Sequence, residues 1–399
     1  MGKILIVSAV FPPEPVVSAM LSYDIAMKLY LEGKEVVVVT PRPTRPLNYV
    51  FKNEKEFTPF EHIILDSYTC PESKIIGRTR ESISFGRAIS KFISKYPSKI
   101  DVIYANTWAL FSQISLAKTA RKKGMPYIIH VHDIYPESYC FKLPSLVGKI
   151  LFRLLIPIDQ YVHQNASHIL GISPSMIDYL SKTRIVNVCK YRLARNWQDD
   201  RNFIDNYRPI EKKGAECHIM YLGSVNPTAN IPLVLEAIHN FVSKVHLSII
   251  GNGPDKERCQ EIANNTNINV TFDTVKPEEV ATKQRDADVL ILCLKKGVAK
   301  TATPSKLTAY MLSGRPIIAS VDLDSDCADI IREARCGFVV EPDDPVALGK
   351  AISEMARKTE NQLNDMGKAA FEYAKTYLSK KNNLKIIVDT ICENINYGL

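Results

Sequence analysis

The stretch Thr301-Ala-Thr-Pro-Ser-Lys-Leu-Thr-Ala-Tyr-Met-Leu-Ser-Gly314 lies between two short apolar runs. The run before it is Asp288-Val-Leu-Ile-Leu-Cys-Leu294, and the run after it is Arg315-Pro-Ile-Ile-Ala-Ser320. This order predicts a strand, a loop, a helix that begins at Pro304-Ser305 and ends at Gly314, and a second strand. Proline fits a first helical position, because its missing N–H would find no partner there. The stretch therefore predicts an α/β protein with parallel strands.

The start of this helix is a candidate phosphate site. The backbone N–H groups of a first helical turn point outward and carry the positive end of the helix dipole. Lys306 adds a full charge at the same place. Phosphate groups bind at such helix starts when they follow the carboxyl end of a parallel strand. An ordinary strand-to-helix junction with a solvated lysine is the alternative, and these fourteen residues alone leave both open.

Short apolar segments alternate with helical patterns along the whole chain, which predicts parallel sheets covered on both faces. The first series of predicted strands is 3–10, 35–40, 61–65, 102–105, 127–131 and 168–172. The second series is 217–224, 245–251, 269–272, 289–294 and 315–320. We predict two Rossmann-like domains at 1–195 and 217–377, joined by a polar linker at 196–216 and followed by a tail at 378–399. The tail is expected to be helical with a polar break at 380–383.

Composition and charge limit the class of protein. The 399 residues favour two domains, and no apolar run reaches the roughly 18–20 residues that span a bilayer. The apolar N-terminus is short and is interpreted as a buried strand, not a signal peptide. Nine scattered cysteines without a CxxC pair indicate reduced thiols in the cytosol and argue against a zinc site. Residues 1–185 hold 23 Lys and Arg against 15 Asp and Glu, which predicts an anionic partner for this half. Basic and aromatic residues are not interleaved, so nucleic acid is not expected.

Polar residues that follow predicted strands are the candidate site residues, because ligands bind at the carboxyl ends of parallel strands. After the strand 127–131 come His132, Asp133 and Glu137, which can supply acid/base or hydroxyl-binding groups. The alternatives are a turn-capping Asp133, a solvated Glu137 and a functional His130 in place of His132. In the second half, Gly223-Ser224 and the pair Gly251 and Gly253 follow strands as glycine turns that let a ligand approach the backbone.

Two basic and apolar stretches are candidates for membrane contact. Residues 74–99 hold seven Lys and Arg and one acid. Residues 141–157 are apolar, and two of their basic residues, Lys149 and Arg153, are four apart on one helical face. A helix of this kind lies in a bilayer interface better than it spans one. A buried helix with snorkelling cations is the alternative. The basic residues predicted to meet the acceptor or the membrane are Lys74, Arg78, Arg80, Arg87, Lys149 and Arg153.

The chain resembles the family 4 glycosyltransferases, which have the GT-B architecture. Motifs spread along nearly the whole chain carry the resemblance: Lys3-Ile-Leu-Ile-Val7 before Phe11-Pro-Pro13, His132-Asp133, Ile172-Ser-Pro-Ser-Met176, Ile250-Gly-Asn-Gly-Pro254, Ser313-Gly-Arg-Pro-Ile-Ile-Ala319 and Cys336-Gly-Phe-Val-Val-Glu-Pro342. Pro304-Ser-Lys-Leu307 resembles the subgroup that transfers acetamido sugars in bacterial surface polysaccharide assembly. The resemblance implies two facing Rossmann-like domains with a cleft between them, and a tail that crosses back to the first domain.

The same resemblance implies the reaction and its partners. It implies retaining transfer of a sugar from a nucleotide-sugar donor, a UDP-sugar, to a polyprenyl-diphosphate-linked acceptor in capsule or O-antigen assembly. The resemblance also implies a peripheral protein on the inner face of the bacterial plasma membrane, one that needs no metal or other cofactor. The family's ring-facing histidine falls on His132, and its diphosphate-binding helix start falls on Pro304, Ser305 and Lys306.

The chain departs from the family pattern at the donor site. Thr301 and Ala309 stand where two glutamates are usual, and Ser224 and Ala229 stand in place of an arginine and a lysine. The diphosphate is then expected to depend on Lys306 and the helix amides, with Thr308 as the candidate ribose contact. Two alternatives follow: a degenerate GT-B protein that only binds a partner, and a GT-B nucleotide-sugar 2-epimerase that needs no lipid acceptor.

Overall fold

The structure is a computed structural model. It describes the chain except for residues 1, 46, 48, 54, 73, 107–109, 141–142, 198, 213, 215, 242–243, 267, 300–304 and 397–399. The chain divides into two compact units, which are described separately. Unit 1 comprises Met1–Asn196 and Asn383–Leu399, and unit 2 comprises Trp197–Asn382.

Unit 1 is built on a parallel sheet that has seven strands among the described residues. In chain order they are β1 (Lys3–Ser8), β2 (Glu35–Thr40), β3 (Glu61–Ile64), β4 (Val102–Asn106), β5 (Tyr127–Val131), β6 (His168–Gly171) and β7 (Tyr191–Leu193). Across the sheet the order is β3-β2-β1-β4-β5-β6-β7. The order reverses between β1 and β4, and a crevice forms at such a point outside the carboxyl ends of the strands.

Unit 2 is built on a second parallel sheet, with six strands in the described part of the chain. They are β8 (Cys217–Leu222), β9 (Val245–Ile250), β10 (Val270–Asp273), β11 (Val289–Cys293), β12 (Ile317–Ser320) and β13 (Gly337–Val340). The order across the sheet is β10-β9-β8-β11-β12-β13, so the reversal lies between β8 and β11. Alternate residues of β11 pack on opposite faces, with Leu290 in one core and Ile291 in the other. Helices therefore cover both faces of this sheet, as the continuous apolar strands predict.

The helices of both units follow the predicted alternation with strands. Those of unit 1 are α1 (Val17–Leu31), α2 (Ile75–Lys95), α3 (Phe111–Lys123), α4 (Glu137–Cys140), α5 (Ser145–Asn165) and α6 (Pro174–Arg184). Those of unit 2 are α7 (Arg201–Ile204), α8 (Ile231–Phe241), α9 (Lys256–Thr266), α10 (Val280–Gln284), α11 (Ser305–Leu312), α12 (Asp326–Glu333), α13 (Pro345–Ala356) and α14 (Glu360–Tyr373). The last helix, α15 (Lys380–Asn396), lies mainly in unit 1. No described helix is both long and apolar enough to cross a bilayer.

The structure differs from the predicted elements in three respects. The sequence predicts a helix at 82–96, whereas α2 begins seven residues earlier, at Ile75, where Gly77 lets its first turn pack against Cys70. A side-chain carbon at Gly77 would lie 2.2 Å from the sulfur of Cys70. The strands β7 and β13 are absent from the prediction. The three residues of β7 include a charged Arg192 and give no apolar run.

The third difference concerns the C-terminal tail. The polar residues 380–383 do not break the helix; α15 begins at Lys380 and runs through them. The helical path changes earlier, where the π-helical turn Ala374–Leu378 ends at Ser379. Asn383 is buried within α15, and its side-chain oxygen accepts a hydrogen bond from the backbone N–H of Arg195 at 2.8 Å. A buried polar residue with a partner does not destabilise a helix as an unpaired one would.

The stretch predicted as a linker, 196–216, packs against unit 2. Phe203 of α7 lies in one core of that unit, and Ile210 lies in the other. The backbone N–H of Ile210 also donates to the side-chain oxygen of Asn364 at 2.6 Å. This stretch is thus part of the folded unit for much of its length.

Candidate functional site

A cavity of about 270 Å³ opens in unit 1 at the carboxyl ends of its central strands. Val10 follows β1, Asn106 ends β4 and His132 follows β5, and all three line it. The cavity thus lies at the reversal of strand order between β1 and β4, where the topology predicts a ligand. The strand-end argument that selected His132 also applies to Asn106, although the sequence prediction stopped that strand one residue short.

His132 and His130 form a pair of neighbouring rings in the lining of this cavity. Their ring centres are 4.2 Å apart. Nδ1 of His130 is 2.7 Å from the hydroxyl oxygen of the buried Tyr104. Burial lowers the pKa of His132 to about 4, despite an opposing contribution from Asn196. Burial, with the neighbouring His132, also holds the pKa of His130 well below its ordinary value. Both rings are therefore neutral near pH 7 and suit hydroxyl groups better than anions.

Asp133 and Glu137 have different surroundings, although the sequence grouped them together. Asp133 is exposed and lines the cavity. The carboxylate of Glu137 accepts hydrogen bonds from Arg184 at 2.9 and 2.7 Å and from the hydroxyl of Tyr179 at 2.9 Å. Burial would raise the pKa of Glu137, but these bonds from Arg184 outweigh it and hold the pKa below its ordinary value. Glu137 is consequently engaged in the fold, and Asp133 has the more accessible carboxylate.

Arg184, at the end of α6, ties the segment after β5 to helix α5. It is fully buried. Its Nη2 donates to the carbonyl oxygen of Tyr135 at 2.7 Å, and its Nε donates to the carboxylate of Asp159 at 2.7 Å. His163, one turn further along α5, donates from Nδ1 to the carbonyl oxygen of Asp159 at 2.9 Å. The sequence analysis did not identify Arg184, Asp159 or His163, because helix positions give no strand-end signal.

Two buried carboxylates hold the loops beside the cavity. Glu14 accepts hydrogen bonds from the backbone N–H groups of Thr44 and Arg45 at 2.8 and 2.9 Å. Burial raises the pKa of Glu14 to about 7, although these backbone hydrogen bonds oppose the shift. Glu81 lies 3.7 Å from a terminal nitrogen of Arg45 and pairs more closely with Arg78. Arg45, which lines the cavity, therefore has a carboxylate neighbour within the protein.

In unit 2 the predicted donor residues Gly223 and Lys306 lie against each other. A side-chain carbon placed on Gly223 would be 2.0 Å from Cε of Lys306. Tyr310 of α11 fixes this arrangement: its hydroxyl donates to the carbonyl oxygen of Leu222 at 3.0 Å and accepts from the N–H of Leu222 at 2.9 Å. The end of β8 and the first turn of α11 are thereby held together, at the reversal of strand order in this sheet.

Lys306 is a partly buried cation. Its Nζ lies 5.5 Å from the ring centre of Tyr221. Burial lowers the pKa of the Lys306 ammonium. None of the described acidic side chains forms an ion pair with it. A positive charge held in this way attracts an anion that approaches the strand ends.

The other residues predicted to bind the donor differ in their packing and exposure. Gly251 and Gly253 have positive φ angles, and side-chain carbons there would lie 2.0 and 2.1 Å from the carbonyl oxygens of Gly223 and Val225. These glycines thus permit close packing of the two loops. Ser224 is exposed, while Thr308 is buried within α11. Helix α11 begins at Ser305, and the predicted contact Pro304 lies outside the described residues.

The predicted basic residues of unit 1 also divide into two groups. Arg78 is half-buried and bonds to the buried Glu81, so it belongs to the fold. The others are exposed: Lys74 pairs with Glu72, the guanidinium of Arg80 lies 4.4 Å from the ring centre of Tyr68, and Arg87, Lys149 and Arg153 line surface grooves.

The two halves of the chain match two family descriptions. Residues 20–199 match "Glycosyltransferase Family 4", and residues 216–358 match "Glycosyl transferases group 1". Each half thus matches a glycosyltransferase family model. The family predicted from the motifs is thus supported at this level, whereas the acetamido-sugar subgroup stays a prediction.

The chain is similar to one curated relative and to several solved structures. It is 25% identical over 260 residues to "Probable glycosyltransferase WbjE" of Pseudomonas aeruginosa, a match that covers 61% of this chain and 62% of that protein. The chain therefore matches less than two thirds of the length of this relative.

Among solved structures, HepE of Anabaena, crystallised with UDP, has a TM-score of 0.65 at 12% identity, covering 98% of this chain and 100% of that one. The lipopolysaccharide outer core galactosyltransferase WaaB has a TM-score of 0.68 at 14% identity, with 100% of both chains covered. These likenesses concern the fold, and they confirm the predicted GT-B class.

Proposed function

We propose that this chain transfers a sugar from a nucleotide-sugar donor to a lipid-linked acceptor. The observation that carries the proposal is Lys306, a partly buried cation beside Gly223 at the carboxyl ends of the unit 2 strands. A nucleoside diphosphate leaves with negative charge, and fixed donors near that charge lower the barrier to its departure. Lys306 and the N–H groups in the first turn of α11 supply such donors.

The proposed reaction is a retaining transfer. The bond between the anomeric carbon and the donor diphosphate breaks, and a bond to the acceptor hydroxyl oxygen forms on the same face of the sugar. The hydroxyl proton moves to the departing diphosphate, so no separate base is required. His132 and Asp133 bind hydroxyl groups, and Glu137 supports them through Arg184. The positive charge comes from Lys306, and the proposed reaction uses no metal ion.

The donor that we propose is a UDP-linked acetamido sugar, and the product is a bacterial surface polysaccharide of the capsule or O-antigen type. The resemblance of Pro304-Ser-Lys-Leu307 to an acetamido-sugar subgroup motivates the sugar. The likeness to HepE, crystallised with UDP, supports the nucleotide, and the likeness to the lipopolysaccharide enzyme WaaB supports the pathway class. The acceptor is a polyprenyl-diphosphate-linked oligosaccharide.

The proposed site of action is the cytoplasmic face of the bacterial plasma membrane. The first half of α5 exposes four apolar side chains: Leu146 is 73% exposed, Val147 51%, Ile150 55% and Leu154 67%. Lys149 and Arg153 lie among them on the same helix. Apolar side chains with interspersed cations match the acyl boundary and the anionic headgroups of a bilayer. This face supports peripheral contact with an anionic membrane.

The test is transfer itself. The full-length protein is incubated with a panel of nucleotide sugars and a polyprenyl-diphosphate-linked acceptor, and the products are separated by mass. We expect one UDP-acetamido sugar to give a product one sugar heavier than the acceptor. Absence of both transfer and donor hydrolysis across the panel would sink the proposal. Binding of UDP without turnover would favour the degenerate binding protein, and donor conversion without an acceptor would favour the epimerase.

A further inference from the structure

The cavity of unit 1 is bordered by three histidine rings from two different elements. His130 and His132 come from β5 and the segment after it, and His163 comes from α5. His130 is 4% exposed and His163 is 3% exposed. The Nε2 atom of each of the three rings has no hydrogen-bond partner among the described residues. Buried polar atoms are normally paired, so three such nitrogens around one cavity indicate a missing ligand or ordered water.

The other nitrogen of His163 determines what its Nε2 can bind. Nδ1 of His163 lies 2.9 Å from the carbonyl oxygen of Asp159, which can only accept a hydrogen bond. The proton of a neutral ring therefore resides on Nδ1, and Nε2 is an acceptor. Burial lowers the pKa of His163, which favours the neutral ring. The missing group must bring a hydrogen-bond donor, as a hydroxyl does.

The charged groups around the cavity argue against an anion. Arg45 lies 3.7 Å from the carboxylate of Glu81, and Asp159 pairs with Arg184 at 2.7 Å. Asp133, which is exposed, adds a carboxylate to the lining. The described lining therefore presents no excess of positive charge to a phosphate group. Its other polar groups are hydroxyls, amides and neutral imidazoles, which suit an uncharged polyol.

The size of the cavity suits a single sugar ring. Its volume is about 270 Å³, which gives room for one pyranose ring with its hydroxyl groups. The hydrophobic residues Ile129, Val162 and Leu180 line the same cavity and offer apolar surface to the carbon side of a ring.

We propose that this cavity binds an uncharged sugar ring of the acceptor, and that Nε2 of His163 accepts a hydrogen bond from one of its hydroxyl groups. The identification of the sugar as part of the acceptor rests on the proposed function. Binding of a sugar in the cavity requires neither a donor nor transfer. His163 is thus a specificity residue on a helix that no sequence motif marks.

The experiment measures binding of uncharged methyl glycosides to the full-length protein by saturation-transfer NMR. The probes are the methyl α-glycosides of glucose, galactose, mannose and N-acetylglucosamine. Two variants are compared, His163→Asn and His163→Gln. The side-chain amide of asparagine lies where Nδ1 of the histidine lies, and the side-chain amide of glutamine lies where Nε2 lies. We expect His163→Asn to weaken binding about tenfold, the effect of losing one buried hydrogen bond, and His163→Gln to stay within about threefold of the wild type.

The matched control is His239→Asn in unit 2. His239 also lies on a helix and also places Nδ1 2.9 Å from a carbonyl oxygen, that of Thr266, but it is exposed. This variant should bind the glycosides as the wild type does. Thermal unfolding of every variant verifies folding.

A measurement on the wild type covers the case in which the His163 variants do not fold. In ¹⁵N-histidine-labelled protein, a bound glycoside should shift the resonance of at least one buried Nε2. Three results would overturn the inference: no glycoside binds the wild type, folded His163→Asn binds equally well, or UDP or inorganic pyrophosphate displaces the glycoside. If transfer fails but the glycoside binds as expected, the proposed function falls and the sugar cavity stands.

Discussion

Arg184 donates a hydrogen bond from Nη2 to the carbonyl oxygen of Tyr135 at 2.7 Å, although 49 positions separate the two residues. The same guanidinium bonds to the carboxylates of Glu137 and Asp159. The last residue of α6 therefore holds the segment that follows β5, with its His132 and Asp133, against helix α5. The geometry of the candidate site in unit 1 depends on this fully buried cation.

Replacing Arg184 by methionine should strongly destabilise the protein. The substitution leaves the carboxylates of Glu137 and Asp159 without their partner, and breaking a buried ion pair in this way costs about 3–5 kcal/mol. Urea unfolding, followed for the unit 1 transition, measures the loss. Lys182→Met is the control, because Lys182 pairs with Asp178 at the surface of the same helix and such pairs contribute less than about 1 kcal/mol. Equal losses in the two variants would contradict the role of Arg184.

Replacing Lys306 by methionine should weaken UDP binding without harming the fold. A hydrogen bond to a charged group contributes about 1.5–3 kcal/mol, so the affinity should fall about 10- to 100-fold. The melting temperature should stay constant or rise, because the substitution removes a partly buried charge. Calorimetry with UDP and thermal unfolding measure the two effects. Lys283→Met, at an exposed lysine that pairs with Asp286, should leave UDP binding unchanged.

Replacing Gly223 by alanine should reproduce part of the Lys306 effect. The new methyl group would lie 2.0 Å from Cε of Lys306, and the backbone angle φ of 153° disfavours a side chain. The lysine side chain must move, which should weaken UDP binding about tenfold or more if Lys306 contributes a bond to a charged group. Gly214→Ala serves as the control, since nothing lies within 4 Å of a side-chain carbon there. Unchanged UDP affinity in Gly223→Ala would show that the position of Lys306 does not matter.

Glu14 should make the stability of unit 1 depend on pH. Burial raises its pKa from 4.5 to about 7 in the folded protein. Below pH 4.5 the carboxyl group is protonated in both the folded and the unfolded protein, so it does not make the free energy of unfolding depend on pH. Between pH 4.5 and 7 the unfolded chain loses its proton first, so stability falls as pH rises, by about 3 kcal/mol in total.

The variant Glu14→Gln removes this titration. The free energy of unfolding of the wild type, minus that of the variant, should therefore decrease from pH 4.5 to pH 7 and level off above it. Urea midpoints at half-unit pH intervals provide the measurement, and the comparison cancels the contributions of other titrating groups such as His62. Parallel curves for the two proteins would exclude a raised pKa at Glu14.

Aspartate residues introduced on the exposed face of α5 should strongly weaken membrane binding. The double variant Ile150→Asp, Leu154→Asp puts two carboxylates where the proposed contact needs apolar side chains and cations. Sedimentation with phosphatidylglycerol vesicles should show at least about tenfold weaker binding, since burying two large apolar side chains contributes several kcal/mol. Phosphatidylcholine vesicles should bind the wild type less well.

Leu31→Asp is the matched control for surface hydrophobicity. Leu31 ends helix α1 of the same unit and is 71% exposed, but it lies outside the α5 face. This variant should bind vesicles as the wild type does. If both variants lose binding equally, the contact does not involve the α5 face.

The sequence predicts the two sheets well because their strands are short, continuous apolar runs. Glu35–Thr40 and Tyr127–Val131 match the predicted strands to the residue. One error occurs where a polar residue is buried with a partner. The sequence predicts a break in the helix at 380–383, but Asn383 continues the helix because the backbone N–H of Arg195 donates to its side chain. Such a partner lies 188 positions away and leaves no local pattern.

The candidate site is predictable only in part. The strand-end rule selects His132 and Gly223, since topology alone brings the carboxyl ends of parallel strands together. It does not select His163 or Arg184, which reach the unit 1 site from helices. At Gly251 and Gly253 the absence of a side chain permits contact with the protein's own carbonyl groups, and their part in donor binding stays a prediction. A glycine turn in a sequence does not reveal which group approaches it.

Helix α15 has a consequence for the order in which the chain folds. Its buried residues Ile387, Val388 and Ile391 are synthesised after unit 2, yet they belong to unit 1, whose first strand is synthesised before unit 2. Unit 2 lies wholly between these two parts. Domains usually fold during synthesis in the order in which they leave the ribosome. Here the nascent chain can complete unit 2 first, and unit 1 must wait for its final helix.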